Sequence, residues 1–320
     1  MHSNRDKSTT VIIAAYNVAT TIERAILSAL AQPETVETIV VDDASKDATA
    51  DLAEQLARAD ARVKVIRMPV NGGPAAARNA ALDAATGSWV AVLDGDDYFL
   101  PGRLATLHSW ADDGDFISDT LIRVPENEAH PHPVSSESQP LHALDLADFV
   151  RGNMGEGLDL GFLKPIIRRS FLQTHGLRYQ DKLRLGEDYD LYGRAIAHGA
   201  RFLLGGEAGY ISVVRAGSIT MNHSEEDLLR MRDCDDDIAA VRPLTAIERQ
   251  TIRRHWVHTD CRLQWRRLIS AVKSHDIGAA ASTFRSPQVA GYLAVRLAEQ
   301  AWLRGTGRAK RSAETTAYSS

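Results

Sequence analysis

The sequence predicts an α/β fold built on a mostly parallel sheet, with a helical extension towards its C-terminal end. Three observations predict it. Short β-branched apolar runs alternate with segments of helical period through the first hundred residues. Each apolar run ends in polar, turn-forming residues, and from about Ser224 the pattern is helical throughout. Strands separated by helices need right-handed crossovers, which lay the strands parallel.

The elements follow in order. TVIIAAYN is a short apolar run of the kind buried on both faces of a sheet. In TTIERAILSALAQ, Ile22, Ala25, Ile26, Ala29 and Leu30 share one helical face, and Thr20 with Glu23 predicts a capping box. VETIVVDDAS is the second strand, with Ser45 expected to cap the helix running through Leu56. RVKVIRM is the third strand. PAAARNAALDAA is the third helix, with Pro74 suited to its first turn. SWVAVLDGDD is the fourth strand. Residues 102–222 are less regular. RVPENEAHPHPVSSESQP is polar and proline-rich, which predicts a mobile loop. FLKPIIRRSFL reads as a strand and the start of a helix, DYDLYGRAIAHG as a helix stopped by Gly199, and RFLLGGEAGYISVV as a strand.

Composition excludes several classes. The chain has 320 residues, 44% hydrophobic and 25% charged, which is ordinary globular composition. A net charge of -5 gives no global basic field for nucleic acid. Cys234 and Cys261 make neither a metal knuckle nor a disulfide framework. MHSNRDKSTT lacks the apolar core of a signal peptide. No run reaches the roughly 18 apolar residues a membrane span needs. The expectation is a protein of a reducing, cytosolic compartment, with any membrane role peripheral.

In an open parallel sheet, ligands bind at the carboxyl ends of the strands. Those ends carry Tyr16 and Asn17, Asp42 and Asp43, Asn71 to Gly73, and Asp94, Asp96 and Asp97. In LDGDD, Asp94 and Asp96 stand at i and i+2, on one side of an extended segment. Two such carboxylates form a hard-oxygen site for Mn²⁺ or Mg²⁺, and such an ion can bridge a diphosphate. An acidic turn closing a strand is the plainer alternative. Asp42 and Asp43 are placed to accept hydrogen bonds from a base or ribose, or simply to favour the next helix's positive end. Gly72 and Gly73 let the backbone approach a ligand, and Arg78 sits one turn into the following helix, within reach of a base carbonyl or a phosphate. In GEDYD, Asp188 is the candidate general base, beside Glu187. The alternative is two acids favouring a helix N-terminus.

Other templates fail. G-x-G-x-x-G after the first strand, G-x-x-x-x-G-K-[ST] and H-E-x-x-H are all absent, and AGSIT lacks the first glycine of a nucleophile elbow. The 11 histidines show no ligand spacing; His223 reads as a surface histidine before it reads as a metal or phosphate contact. AAYNVATTIE lacks the glycine-rich basic loop of a nucleotidyltransferase, and the complete set of acids argues against a non-catalytic binding module.

These four segments, in this order over residues 8 to about 220, resemble family 2 of the GT-A glycosyltransferases. The resemblance implies a Rossmann-like GT-A fold and an inverting transfer from a UDP-sugar. It places Tyr16 and Arg78 near the base, Asp43 on the uracil or ribose, Asp94 nearer the ribose, and Asp96 on the metal. It makes Asp188 the base, paired with Glu187. It divides the chain into a catalytic domain at 1–223 and a C-terminal helical region at 224–320 with a disordered tail. The nucleotide-binding half is about 8–101 and the acceptor half about 102–223. More narrowly, the chain is similar to bacterial exopolysaccharide enzymes of the rhizobial succinoglycan glucosyltransferase group. That implies UDP-glucose as donor and a lipid-linked oligosaccharide as acceptor, at the inner face of the cytoplasmic membrane; lipopolysaccharide or another surface glycan is the alternative setting.

In the helical extension Arg253, Arg254, Arg262, Arg266 and Arg267 surround Trp256 and Trp265, with Trp302 further on. Interfacial helices use this pairing against anionic headgroups. A helix packed on the catalytic domain, with tryptophans in the seam, uses it equally.

Overall fold

The computed structural model describes residues 6–111, 114–126, 140–155, 160–214 and 223–305. The predicted alternation is present: β1 (Thr9–Ala15), α1 (Ile22–Leu30), β2 (Thr35–Asp42), α2 (Thr49–Ala59), β3 (Val63–Arg67), α3 (Gly73–Ala84) and β4 (Trp89–Asp94). β5 (Tyr98–Phe99), α4 (Arg103–Ser109), β6 (Phe116–Pro125), β7 (His142–Leu144), α5 (Leu146–Gly152), β8 (Ile166–Arg168), α6 (Arg169–His175), α7 (Glu187–Ala197) and β9 (Phe202–Val214) follow. The chain continues as α8 (Glu225–Ala240), α9 (Ala246–Lys273), α10 (Ile277–Ser282) and α11 (Pro287–Gly305).

Alternate residues of β1 explain the layering. Val11 and Ile13 face α1, α2 and α4, where they pack with Ile22, Ile26, Ala53 and Leu104. Ile12 faces the other way, into a core with Ala77 and Ala81 of α3 and Tyr192 of α7. Full burial of each such branched side chain contributes about 1.5–3 kcal/mol. With both faces covered, continuous apolar strands are what the sheet requires.

Among the described residues the strands run in the order β3-β2-β1-β4-β8-β6-β9-β5, with β7 on β9. β1 to β4 are mutually parallel; β8 is antiparallel to both β4 and β6. β9 runs parallel to β6 and antiparallel to β5 and β7. The register sets Ala14 opposite Asp94 and Ala15 opposite Asp42, so the acids of β2 and β4 emerge at one sheet edge.

Three local expectations change. The Thr20–Glu23 box does not form: α1 starts at Ile22, and Thr21 at its N-cap makes no side-chain cap. The Thr21 hydroxyl donates instead to the carbonyls of Val18 and Gly95, tying α1 to the turn after β4. Ser45 does not cap α2, whose N-cap is Ala48. The Ser45 hydroxyl accepts from the Asn17 N–H at 3.0 Å, joining the loops after β1 and β2. Arg123, Val124 and Pro125 belong to β6, not to a loop, and pair with Ser212 to Val214. Pro125 is tolerated because it ends the strand. The rest of the expected loop, 127–139, and the tail at 306–320 lie outside the described residues. Pro74 does open α3, and Gly199 takes φ +92° just beyond α7.

The C-terminal helices join the main core. Cys234 and Ile238 of α8 and Ile252 of α9 pack into the same cluster as Phe149 and Tyr189. Ser224 with Asp227, and Thr245 with Glu248, form the capping boxes that start α8 and α9. The Tyr189 hydroxyl donates to Asp235 at 2.6 Å, and Asp235 lies 2.8 Å from His255 Nδ1, so α7, α8 and α9 share one buried polar link. Trp265 packs in the seam that holds Leu268, Val289 and Leu293. No helix among the described residues is long and apolar enough to cross a membrane.

Candidate active site

The site grows from the strand ends. Just past β2, Asp43 turns inward and accepts from the N–H groups of Gly72, at 2.7 Å, and Gly73, at 2.8 Å. Gly73 takes φ +84°, a conformation glycine holds at little cost. The carboxylate also meets the positive end of α3. The Gly72–Gly73 backbone, expected to let a ligand approach closely, gives its N–H groups to Asp43. That closure fixes where α3 begins, and so where Arg78 stands one turn later. Ala44 holds φ +57°, an uncommon value for a residue with a Cβ, at this same loop. Asp42 Oδ1 is buried without a partner among the described residues.

Arg78 is the hub. Its guanidinium reaches Glu187 Oε1 at 2.6 Å, Asp188 Oδ1 at 3.3 Å and Asp94 Oδ1 at 2.7 Å. Gly186, at φ +76°, turns the chain into α7 and sets Glu187 and Asp188 in its first turn, facing α3. A second buried cation completes the cluster. Lys164 Nζ lies 2.6 Å from Asp188 Oδ2 and 3.1 Å from Asp94 Oδ2. Three carboxylates and two cations thus share one pocket of low dielectric. Burial alone would raise the Asp94 carboxyl, but the charges of Lys164 and Arg78 outweigh it and hold the group below the usual range. Burial raises Glu187, against the pull of Arg78, so Glu187 keeps a proton more readily than a free glutamate. Burial alone would lower the Lys164 ammonium; Asp188 and Asp94 reverse this and raise it.

A scaffold of buried polar groups holds this cluster. Arg103 and Asp119 are both fully buried and paired at 2.6 Å. Arg103 also donates to the Lys164 carbonyl at 2.6 Å and lies over the rings of Phe99 and Tyr210. Asp119 accepts from the Tyr210 N–H at 3.1 Å. The Tyr210 hydroxyl in turn donates to Asp97 at 2.8 Å and accepts from the Asp94 N–H at 3.1 Å. Burial pushes the Asp97 carboxyl well above its ordinary range, helped by the charges of Asp94 and Asp96. Breaking a buried pair such as Arg103–Asp119 from one side costs about 3–5 kcal/mol.

The structure therefore brings Asp94, Arg78, Glu187 and Asp188 into direct contact. Asp43 anchors the start of the helix that carries Arg78. Tyr16 stands at the rim after β1, 40% exposed. Asp96 lies on the turn after β4, partly buried, and its carbonyl accepts from Arg24 at 2.9 Å. Both Asp94 oxygens are engaged, Oδ1 by Arg78 and Oδ2 by Lys164. Among the described residues no group of three or more His, Cys, Asp or Glu side chains could hold a metal. One carboxylate completed by diphosphate oxygens and water is a common arrangement for Mg²⁺. Sequence reasoning missed Lys164, Arg103, Asp119 and Tyr210. The available signal was a lone charge inside an apolar run, as in GFLKPII and FISDTLI.

Residues 10–169 match the family model described as Glycosyl transferase family 2. The chain belongs to glycosyl transferase family 2. It is 42% identical over 276 residues to the succinoglycan biosynthesis protein ExoU of Rhizobium meliloti (strain 1021), covering 84% of this chain and 80% of that protein. It is 28% identical over 218 residues to WfaP of Escherichia coli, a UDP-Glc:alpha-D-GlcNAc-diphosphoundecaprenol beta-1,3-glucosyltransferase, covering 68% and 81%. The fold is that of S. aureus TarS 1–349 bound to UDP-GlcNAc, with TM-score 0.61, 19% identity and 86% and 90% coverage. It is also that of the mannosyltransferase PcManGT from Pyrobaculum calidifontis bound to GDP-Man and Mn²⁺, with TM-score 0.57, 16% identity and 90% and 83% coverage. The GT-A architecture and the glycosyltransferase assignment of this family 2 member stand on these findings.

Proposed function

We propose that this glycosyltransferase moves glucose from UDP-glucose to a hydroxyl of a lipid-linked oligosaccharide in exopolysaccharide biosynthesis, with inversion at the anomeric carbon. The observation that carries the reading is the convergence of Asp94, Glu187 and Asp188 on Arg78 and Lys164 at the carboxyl ends of the strands. Likeness to ExoU supports the exopolysaccharide setting. Likeness to WfaP supports a UDP-glucose donor and a diphospholipid-borne acceptor.

Residues 1–223 form the catalytic unit, with the donor in the half at about 8–101 and the acceptor in the half at 102–223. Tyr16 receives the nucleoside, and Asp43 shapes that end of the site by anchoring α3 through Gly72 and Gly73. Asp96 would hold Mn²⁺ or Mg²⁺, which when bound would neutralise charge on the diphosphate. Both Asp188 oxygens accept hydrogen bonds: Oδ2 from Lys164, and Oδ1 from Arg78 and, at 3.4 Å, from the Tyr192 hydroxyl. A donor diphosphate offers the two cations a competing partner. Drawn to it, they release Asp188 to act as base. Asp188 then takes the acceptor hydroxyl proton as that oxygen bonds to the anomeric carbon. The bond from that carbon to the diphosphate breaks, and UDP leaves with the electron pair. The enzyme works peripherally at the inner face of the cytoplasmic membrane.

Calorimetric titration of UDP- and GDP-sugars with Mn²⁺ or Mg²⁺ present tests the donor and the metal together. Saturable UDP-glucose binding that needs the ion is the expected result. Preference for a GDP-sugar, or equal affinity in chelator, overturns the reading.

A further inference from the structure

Two adjoining, open hollows of about 510 and 410 Å³ lie against the C-terminal helices and share Arg254 and Val257. Their lining is cationic. Arg253, Arg254 and Arg285 border the larger hollow, and Arg151 borders the smaller. Arg253, Arg254 and Arg285 are exposed, and no acid pairs with them among the described residues. Asp260, the acid of the larger hollow, pairs with Arg232: its Oδ1 accepts from Arg232 and Gln264, each at 3.1 Å. The guanidiniums of Arg232 and Arg253 each lie over the Trp256 ring, 5.0 and 4.7 Å from its centre.

Three unpaired guanidiniums at one hollow repel each other until a multivalent anion arrives. The planar fork of arginine matches phosphate oxygens two at a time. One carboxylate would leave most of the charge uncompensated; a diphosphate would not. The hollow also has an apolar lining. Trp256, Val257 and Val289 border it, and Phe284, next to Arg285, is 44% exposed. Water-soluble phosphates have no use for such a lining, whereas an anion carrying a hydrocarbon chain does. Helix α5, which brings Arg151 to the hollow, also packs on α7, which carries Asp188.

We propose that this arginine-lined hollow binds the diphosphate of a polyprenyl carrier, holding the lipid end of the acceptor away from the reacting hydroxyl. The choice of ligand rests on the lipid-linked acceptor reading. The test is titration of the full chain with farnesyl diphosphate, inorganic pyrophosphate and farnesol, repeated on Arg254→Gln/Arg285→Gln and on the control Arg249→Gln. Wild type and control are expected to bind farnesyl diphosphate more tightly than pyrophosphate, and farnesol weakly. The double variant should bind farnesyl diphosphate at least about tenfold more weakly, since each arginine contributes a charge-assisted contact. Equal affinity of wild type and double variant overturns the proposal, as does pyrophosphate binding as tightly as the prenyl ester. Loss of phosphatidylglycerol-vesicle binding in the double variant, with farnesyl diphosphate affinity unchanged, overturns it in favour of bulk anionic lipid. Arginine-dependent binding without any sugar transfer sinks the catalytic reading and leaves this site standing; sugar transfer without arginine-dependent binding does the reverse.

Discussion

Lys164 joins two carboxylates that the sequence places 94 residues apart, Asp94 and Asp188. Removing its charge leaves both acids under-compensated in a buried site. Lys164→Met is expected to lower stability by about 3 kcal/mol. It should also lower kcat on the order of a hundredfold, while donor KM changes less. Thermal unfolding together with steady-state kinetics checks both, and a variant with wild-type kcat removes Lys164 from the mechanism. Asp96→Asn is expected to abolish the response to added Mn²⁺ while UDP still binds weakly; an unchanged Mn²⁺ titration would contradict the metal assignment. At this scale the sequence was partly legible. Asp94, Glu187, Asp188 and Arg78 stand in ordered motifs at strand and helix ends, where chain direction alone puts them near one edge. Lys164, Arg103 and Asp119 carry no such mark, because a charge within an apolar run says nothing about its partner across the sheet.

At the scale of elements, the Asp43 bridge to Gly72 and Gly73 converts a strand-end acid into the anchor of α3. Asp43→Ala should cost about 1–3 kcal/mol by stranding those N–H groups, and raise donor KM through the displaced Arg78. Chemical denaturation and kinetics read the two effects. His108, on α4, gives a pH signature. Burial, with the Lys7 charge beside it, depresses its imidazole from the ordinary 6.5 to about 4. Between those values the unfolded chain binds the extra proton and the folded chain does not. The stability from His108 is therefore complete above about pH 6.5 and is lost as pH falls towards 4. Unfolding at pH 5 and pH 7 should differ less in His108→Gln than in wild type; an equal difference would contradict this. Element type was readable wherever apolar period was strong, in β1 to β4 and α1 to α3. Helix starts were not. The Thr20–Glu23 box fails because α1 starts at Ile22, and Ser45 spends its hydroxyl on a tertiary bond to Asn17 instead of the local cap that sequence spacing suggests. Pro125 read as a loop residue because the strand pairing that accommodates it lies 89 residues further on, at Val214.

On the scale of the whole molecule, the C-terminal helices are both part of the core and the carriers of an exposed cationic, apolar surface. Trp265 packs in a helix seam, while the guanidiniums of Arg232 and Arg253 lie over Trp256, so both tryptophans are taken up in contacts within the protein. No periodicity shows those contacts in advance. The engaged state of Asp188 also bears on the order of events. If a donor must first draw off Arg78 and Lys164, donor binds before acceptor, and UDP should inhibit competitively against UDP-glucose and noncompetitively against acceptor. A random-order pattern in product inhibition would remove that step. The most direct measurement is the turnover of UDP-glucose by Asp188→Asn, beside its calorimetric affinity for UDP. The account requires turnover to fall by about a thousandfold or more with UDP affinity nearly unchanged. Turnover near the wild-type rate in that variant would contradict it.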